Sequence, residues 1–536
     1  MRALHLAAAA ALLASTLPGV GHAQSAVQAY TANVLQGEPD NIDPNRSSFT
    51  TEAAVIRQVF EPLLRLDRSL RAVPAAAESY DVSPDGTVYT FHLRPDGKFS
   101  DGTPVTAQNF EYSFKRILDP KIASDYASFF VDAGIIGADD WNAGRTATAD
   151  NVGVRAVDDL TLEIRLREAF APFPDLVALW VVSPVRQDII EANGDHWAQD
   201  PATYIGNGPF VLTEWLHQDH ISFAPNPNYH GPGPFLQQMT FLMITDLTVD
   251  YAAYLNGERD EALVPDPAVQ AVRNDPQLAQ ELTDYTDLST FWLYLNTAKA
   301  PLKDPLVHRA LSKAIDRQAL IRDVAGGVGQ PATSIIPPGM PGFREGLGSD
   351  IGFDPQGARD LLAQAGFAGG ARFPTLSFSF ATSSEAQRRA EFIQAQFKQN
   401  LGITIQLDPM EAKAYQAAFK AQSYDIAFGG WEADYPDPQD WFNTNFGCKG
   451  GNNKLGYCNP TFDQLVAHAD TALDFDERMG LYEQAQQLLL QDAPVVPLYN
   501  RGRLVLTKPY LQNLTITAQD DFPGDLFLDE VTVAAH

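Results

Sequence analysis

The chain has 536 residues and a formal net charge of −29 at pH 7, with 67 acidic side chains against 38 lysines and arginines. A surface this negative repels nucleic acids and anionic lipid headgroups, so neither is expected as a partner. The length suggests two to four domains.

The first predicted segment is a secretory signal peptide over residues 1–23. An apolar run from Ala3 to Leu17 precedes a small-residue site that ends at Ala23, which predicts cleavage before Gln24. No later apolar segment approaches the length that spans a bilayer. The first cysteine is Cys448, so no acylated cysteine is expected at the mature N-terminus. These features predict a periplasmic protein without a lipid anchor or direct membrane insertion.

The early part of the mature chain predicts an α+β unit. Residues 82–94 contain an Asp-Gly pair between two strand-like runs, a pattern typical of a β-hairpin. A helix is predicted from about Thr106, with Phe110 and Phe114 on its buried face.

Two Asp-Pro pairs predict helix starts further along the chain. The pair at Asp304 is expected to open a helix that ends at Gly326, and the pair at Asp354 one that ends at Gly366.

The common enzyme motifs do not occur in the sequence in a supporting context. A G-x-G-x-x-A match at residues 327–332 follows a predicted helix instead of a strand, which argues against dinucleotide binding. H-E-x-x-H, G-x-S-x-G and Walker A motifs are missing, and the histidines are scattered. The sequence therefore predicts neither a catalytic centre, nor a metal site, nor a cofactor.

Residues 376–428 predict an α/β lobe. Strand-like runs alternate with helical patterns, the strands at 376–380, 403–407 and from residue 424, and the helices at 387–401 and 412–421. This alternation implies parallel crossovers, and the ligands of such sheets bind beyond the carboxyl ends of the strands.

The segment that carries the candidate site is residues 423–441, SYDIAFGGWEADYPDPQDW. The strand is expected to stop at Gly429 and Gly430, where missing side chains let another backbone approach. Trp431 supplies a flat amphipathic wall, and Asp434 supplies an acidic group that can meet a positive charge. Taken alone, DYPDPQD is also compatible with a solvated proline-rich turn.

The residues GGWEADYPDP resemble a segment of the periplasmic oligopeptide-binding proteins, the extracytoplasmic receptors of peptide ABC importers. The resemblance continues in order along nearly the whole mature chain, in the segments GEPDNIDP (37–44), VFEPLLRLD (59–67), YTFHLRPDGKFSDGTPVTAQNFEYSFKR (89–116), NGPFVLTEW (207–215), APNPNY (224–229), HRALSKAIDR (308–317) and GNNKLGYCNPTFDQL (451–465).

The resemblance implies an α/β fold built as a two-lobed, type II periplasmic-binding-protein-like clamp, with an additional α+β domain packed on one lobe. The implied divisions are the signal peptide at 1–23, lobe I at 24–45, 171–288 and 500–536, the extra domain at 46–170, and lobe II at 289–499. The hinge would lie where the chain crosses between lobes, near 285–294 and 495–506.

The resemblance also implies how a peptide is held. Its α-ammonium pairs with Asp434, and its main chain adds as a short strand beside the Gly-Trp segment, with a strand of the other lobe opposite. The predicted ligand-binding residues are Gly430, Trp431, Glu432, Ala433 and Asp434 on one lobe, Thr50, Thr51 and Glu52 on the other, and Trp292 and Tyr415 as further pocket walls.

The sequence departs from the family pattern where some members bind the ligand carboxylate with arginines. Phe419 and Phe428 stand at those positions, and Lys420 and Arg388 are nearby substitutes. A cysteine pair of some members is replaced by Ser289 and Glu432, and Glu432 is expected to add a carboxylate beside the ammonium site. These departures keep open a receptor of the same fold for another solute, such as a dipeptide, a cation, a metal chelate or a sugar.

Cys448 and Cys458 are the only cysteines, and in an oxidising compartment they are expected to form one disulfide. The expected partners are a peptide ligand and an ABC permease with its ATPase subunits. The receptor itself is expected to be a monomer without enzymatic activity.

Overall fold

The computed structural model describes residues 27–520 and 522–536. The predicted signal peptide lies outside this described part. Within it, every helix is too short or too polar to cross a membrane.

The elements are numbered along the chain. Up to residue 165 they are β1 (Ala29–Ala32), α1 (Thr50–Val59), β2 (Leu64–Leu66), β3 (Ala72–Pro74), β4 (Ala77–Val82), β5 (Val88–Leu93), α2 (Ala107–Ile117), α3 (Ala127–Asp132), α4 (Ala138–Asn142), β6 (Val154–Asp158) and β7 (Thr161–Arg165). Up to residue 286 they are α5 (Phe173–Leu176), α6 (Gln187–Asn193), β8 (Phe210–Leu216), β9 (His220–Pro225), β10 (Gln238–Leu242), α7 (Leu247–Leu255), β11 (Glu261–Leu263), α8 (Val269–Asn274), α9 (Leu278–Glu281) and β12 (Leu282–Thr286).

The second half of the chain holds the remaining elements. Up to residue 420 they are β13 (Ser289–Leu295), α10 (Pro305–Lys313), α11 (Arg317–Asp323), β14 (Gln330–Pro331), α12 (Pro355–Gln364), β15 (Leu376–Ala381), α13 (Ser384–Leu401), β16 (Ile405–Met410) and α14 (Ala412–Lys420). The last are β17 (Ile426–Glu432), α15 (Pro438–Phe446), α16 (Pro460–Thr471), α17 (Phe475–Asp492), β18 (Val495–Asn500), β19 (Gly502–Thr507), β20 (Leu511–Gln512) and β21 (Thr532–Val533).

Two large sheets organise the described chain. The first has the strand order β12-β19-β11-β1-β10-β9-β8 and the second β14-β18-β13-β17-β15-β16. The chain crosses between them from β12 to β13 and from β18 to β19, and the crossings contact each other because the Asp287 N–H donates to the Arg501 carbonyl at 3.2 Å.

The second sheet carries the predicted strand and helix alternation. Strand β15 runs parallel to both β16 and β17, as the sequence predicted. One face packs on a core that includes Leu293 and Phe378, and the other on a core that includes Trp292 and Trp441. Burial of both faces fixes the position of β17, the strand that leads to the candidate site.

A smaller antiparallel sheet has the order β4-β5-β7-β6. The predicted hairpin is confirmed as β4 and β5, and Gly86 in its turn has a φ of 70°, which favours glycine. The predicted helix at Thr106 is confirmed as α2, with Phe110 and Phe114 fully buried.

Two sequence predictions about elements were wrong in detail. The helix expected from Asp304 to Gly326 is divided into α10 and α11, because Asp316 accepts a hydrogen bond from the Ala319 N–H and caps a new helix. The strand expected to stop at Gly429 continues to Glu432, because β13 pairs with it through both glycines.

Candidate functional site

The two glycines of β17 are explained by contacts inside the sheet. A Cβ at Gly430 would lie 2.5 Å from the Thr290 carbonyl oxygen, and one at Gly429 would lie 2.6 Å from the ring of Tyr294. Both neighbours belong to β13: its backbone approaches Gly430 and the ring of Tyr294 approaches Gly429, so a larger residue at either position would displace one of them.

The other edge of β17 is open at its C-terminal end. Strand β15 pairs with it only at Ile426 and Ala427. The Ala433 N–H donates to the Leu288 carbonyl at 2.9 Å, so Ala433 turns its backbone groups toward β13. Because these groups alternate in direction along an antiparallel strand, those of Gly430 and Glu432 point to the edge away from β13. This edge can accept a further strand.

Asp434 lies two residues beyond this strand and is partly buried. The hydroxyl of Tyr126, just before α3, donates to Asp434 Oδ1 at 2.6 Å. The Asp434 N–H donates to Asp440 Oδ2 at 3.0 Å, and the Trp431 indole N–H donates to the same oxygen at 3.0 Å. The turn after β17 is thus fixed from both sides, by α15 and by the segment before α3.

Asp440 is a buried acid directly behind Asp434. Burial, followed by the charge of Asp434, raises the pKa of Asp440 well above its usual range. Its Oδ1 atom has no hydrogen-bond donor among residues 27–520 and 522–536. Burial beside a second carboxylate disfavours the charged form of Asp440, so the pair favours a neutral Asp440 next to Asp434.

Glu432 lies in a different environment from the one predicted. Its carboxylate contacts the guanidinium of Arg501 and lies 3.5 Å from that of Arg503. Both arginines also bind Asp287, at 2.6 and 3.0 Å. Glu432 therefore belongs to an ionic network at the strand crossings.

The strand predicted near Thr50, Thr51 and Glu52 is wrong, because these residues form the first turn of α1. Glu52 is buried, and its carboxylate accepts hydrogen bonds from the backbone of Asn41, Ser48 and Phe49. This capping uses the carboxylate to satisfy N–H groups at the helix start.

The predicted pocket walls Trp292 and Tyr415 are both buried. Trp292 has no exposed surface and packs against Trp441, so its prediction as a wall was wrong. Tyr415 is 8% exposed and donates its hydroxyl to the Phe428 carbonyl at 2.5 Å, which covers the start of the open strand edge.

The aromatic residues at the family's arginine positions have separate environments. Phe419 stacks in the core on Tyr424, at 5.7 Å between ring centroids. The guanidinium carbon of Arg389 lies over Phe428, 3.6 Å from the centroid of the phenylalanine ring. Arg389, which the sequence analysis missed, is itself bound to Glu385 at 2.8 Å. Arg389 therefore already has a carboxylate partner within the protein.

The two predicted substitutes lie elsewhere on the surface. Arg388 is exposed and lies 3.6 Å from Asp266, and Lys420 is exposed at the end of α14. The predicted disulfide between Cys448 and Cys458 is confirmed. Within the described ranges, His, Cys, Asp and Glu side chains form no group of three or more that could hold a metal ion.

Asp434 lines a cavity of about 80 Å³ that is partly open to solvent. Of the described residues near the site, Asp434 and Tyr435 line it but Gly430 and Trp431 do not, so it leads away from β17. Its other walls come from α1 and the loop after it, from α5 and from the C-terminal segment. Trp180 and Asp175 are among these wall residues.

Sequence analysis missed Tyr126, Asp440 and Asp175. The sequence could have indicated Asp440, because this residue belongs to the acidic cluster that follows the Gly-Trp pair. It could not have indicated Tyr126 or Asp175, because more than 250 residues separate each from Asp434 along the chain and only tertiary contacts bring them to it.

Comparisons with known proteins place this geometry in a family. Residues 71–453 match the family described as bacterial extracellular solute-binding proteins, family 5, middle. The chain is 33% identical to the periplasmic oligopeptide-binding protein OppA of Salmonella typhimurium over 483 residues, which cover 89% of this chain and 88% of that protein.

Solved structures agree with the sequence comparison. The unliganded open form of the periplasmic murein tripeptide-binding protein MppA superposes with a TM-score of 0.80 at 31% identity, over 96% of this chain and 98% of that one. Haemophilus influenzae OppA in complex with the peptide RPPGFSPFR gives a TM-score of 0.78 at 28% identity, over 96% of this chain and 100% of that one. The predicted clamp fold is thereby confirmed. The chain belongs to the family 5 bacterial extracellular solute-binding proteins.

Proposed function

We propose that the protein is the periplasmic substrate-binding receptor of a peptide ABC importer, and that it binds oligopeptides without chemical turnover. Family membership and the peptide-bound relatives support this proposal. The observation that carries it is Asp434, a partly buried carboxylate two residues beyond an open strand edge.

In this proposal the ligand's α-ammonium binds Asp434. Its main chain pairs with the backbone groups of Gly430 and Glu432, in a strand addition that does not depend on side chains. Trp431 and Ala433 form the remainder of this edge. A receptor built this way accepts many peptide sequences, because backbone pairing supplies affinity while side chains occupy hydrated pockets.

The division into lobes is also part of the proposal. Residues 24–45, 171–288 and 500–536 form lobe I, 46–170 the extra domain and 289–499 lobe II. Ligand favours the closed state, so small-angle scattering should give a smaller radius of gyration on saturation with peptide. An equal radius in both states would contradict the clamp.

The remaining elements of the proposal concern export and partners. Residues 1–23 direct the chain to the periplasm, where the mature protein is a monomer that delivers peptides to a permease and its ATPase subunits. Cells that lack the gene should not take up a labelled peptide, and a plasmid-borne copy of the gene should restore this uptake. Measuring uptake in both strains tests the delivery.

One tripeptide in three chemical forms tests the binding mode. Ala-Ala-Ala should bind in calorimetry, and acetylation of its N-terminus should nearly abolish binding by removing the charge that meets Asp434. C-terminal amidation should change the affinity only a few fold, because Phe419 and Phe428 replace arginines and Arg389 is bound to Glu385. Equal losses from both modifications would mean that another cation holds the carboxylate.

A further inference from the structure

The cavity that Asp434 lines contains a second carboxylate, that of Asp175 on α5. We propose that this cavity receives the side chain of the ligand's first residue, and that Asp175 makes it selective for a cationic side chain such as lysine, ornithine or arginine. The inference rests on the proposed function, because Asp434 must hold the α-ammonium of that same residue.

Asp175 differs from the other charged groups of the cavity wall in having no partner. Its carboxylate forms no hydrogen bond or ion pair with residues 27–520 and 522–536. The remaining charged wall residues are engaged: Arg57 with Asp525 at 3.5 Å, Arg65 with Asp529 at 3.4 Å, and Glu61 with Tyr229 at 2.9 Å and His230 at 2.6 Å. With Asp434 assigned to the α-ammonium, a cationic side chain of the ligand would meet Asp175 as its acidic partner.

The surroundings of Asp175 make an unpaired negative charge unfavourable. Burial, followed by the charge of Asp437, raises the pKa of Asp175 to about 7, although Arg478 opposes this shift. Arg478 does not pair with Asp175: its Nη2 atom lies 3.2 Å from Asp437, and its Nε and Nη1 atoms donate to no residue among 27–520 and 522–536. A cation from the ligand supplies the missing partner and offsets the desolvation of the carboxylate.

The apolar part of the cavity wall suits the stem of a long basic side chain. Leu179, Trp180 and Phe60 offer apolar surface along the cavity. Lysine and arginine bury their methylene groups against such surface while the charged end reaches a polar partner. Alanine or serine at the first position would leave both Asp175 and this surface without contacts.

Two peptides that differ in one charge test the proposal. Lys-Ala-Ala and norleucine-Ala-Ala have first side chains of similar length, and calorimetry measures both against the full mature protein. The wild type should bind the lysine peptide roughly 10-fold to 100-fold more tightly, the range of a hydrogen-bonded charge pair. In Asp175→Asn this preference should disappear, while the affinity for the norleucine peptide stays within a few fold.

The control variant is Glu168→Gln, which removes the same charge from an exposed position before α5 and should keep the lysine preference. Asp175→Leu gives a second readout, because an apolar side chain there should favour norleucine. Equal binding of both peptides to the wild type, or a lysine preference that persists in Asp175→Asn, would overturn the inference while leaving the proposed function intact. Failure of both peptides to bind the wild type would overturn the proposed function itself.

Discussion

Glu432 and Asp434 are two residues apart, yet their carboxylates lie in contrasting regions. Glu432 sits at the strand crossings, where Arg501 and Arg503 bind both it and Asp287. Asp434 sits in the turn after β17, where it accepts a hydrogen bond from a tyrosine hydroxyl and lies against Asp440, a buried acid with a raised pKa.

The difference shows how one acidic segment supports two tasks. Two guanidinium groups already compensate the charge of Glu432, so that carboxylate holds the crossings together. The Asp434 turn concentrates acids and presents them beside an open strand edge and a cavity. An arriving ammonium therefore gains most at Asp434, and each prediction below tests this contrast.

The largest expected effect is that of Asp434→Asn on affinity. Removing one partner of a desolvated charge pair costs about 2 to 5 kcal/mol, so calorimetry should show Ala-Ala-Ala binding weakened by tens of fold or more. Unfolding in urea should be nearly unchanged, because the amide can keep the hydrogen bond from Tyr126.

Glu432→Gln is the matched control and should show the opposite pattern. Its affinity for the same peptide should stay within a few fold, while its stability falls by about 1 kcal/mol or less, the range of a pair that is partly exposed. An equal loss of affinity in both variants would remove the distinction between the two regions.

The second prediction replaces the ionic network with a covalent bond. Ser289 and Glu432 lie directly opposite each other on β13 and β17, in a pair that does not exchange backbone hydrogen bonds and so brings side chains close. The double variant Ser289→Cys with Glu432→Cys should therefore form a disulfide. A cross-link across so long a loop should stabilise the oxidised protein by about 2 to 4 kcal/mol over its reduced form.

Urea unfolding with and without reductant measures this difference, and the wild type corrects for the natural disulfide between Cys448 and Cys458. Peptide affinity should be unchanged in the oxidised variant, since Glu432 is assigned to the crossings. Loss of binding on oxidation would show that the crossings and the Asp434 turn are not separable.

The third prediction concerns Asp440, which we expect to act as a neutral hydrogen-bond donor to Asp434. Asp440→Asn keeps both an acceptor for the Trp431 indole and a donor for Asp434, so its affinity for Ala-Ala-Ala should stay within a few fold. Asp440→Leu removes both, and binding should weaken roughly tenfold as Asp434 loses its orientation. If Asp440→Asn binds as poorly as Asp434→Asn, Asp440 is ionised and meets the ligand directly.

Much of the fold could be predicted because local signals and tertiary structure agree. The Asp-Gly hairpin and the parallel strands around α13 were correct, since turn chemistry and hydrophobic periodicity describe them fully. The helix predicted through Asp316 failed because that residue could equally cap a new helix, and only packing decides between them.

The site was less predictable because its contacts join distant segments. Asp434 could be singled out from its place after the glycines, whereas Tyr126 and Asp175 reach it only through folding of other parts of the chain. Trp292 failed as a pocket wall because its β-strand position faces a core on that side of the sheet. Side-chain type alone does not reveal which face of a strand is covered.

The smallest expected effect on peptide affinity, which is none, belongs to a third way in which the protein accommodates a buried acid, namely protonation. Glu261 on β11 is fully buried, and burial raises its pKa from the ordinary value of 4.5 to about 8, while hydroxyls of Tyr30 and Thr507 donate to it. Between these two pH values the folded protein holds a proton that the unfolded chain has lost, so stability falls as pH rises. The contribution is fully present below this window and is lost above it.

Glu261→Gln removes this titration but keeps hydrogen-bonding groups for both hydroxyls. The difference in unfolding free energy between variant and wild type should therefore shift in favour of the variant by about 1.4 kcal/mol per pH unit within that window. Urea unfolding at several pH values measures it, with Glu258→Gln as the matched variant at an exposed position. Because Glu261 lies in the first sheet, away from β17, peptide affinity should not change in either variant. A flat difference across the window would mean that Glu261 is ionised in the folded state, and that protonation is not how this buried acid is accommodated.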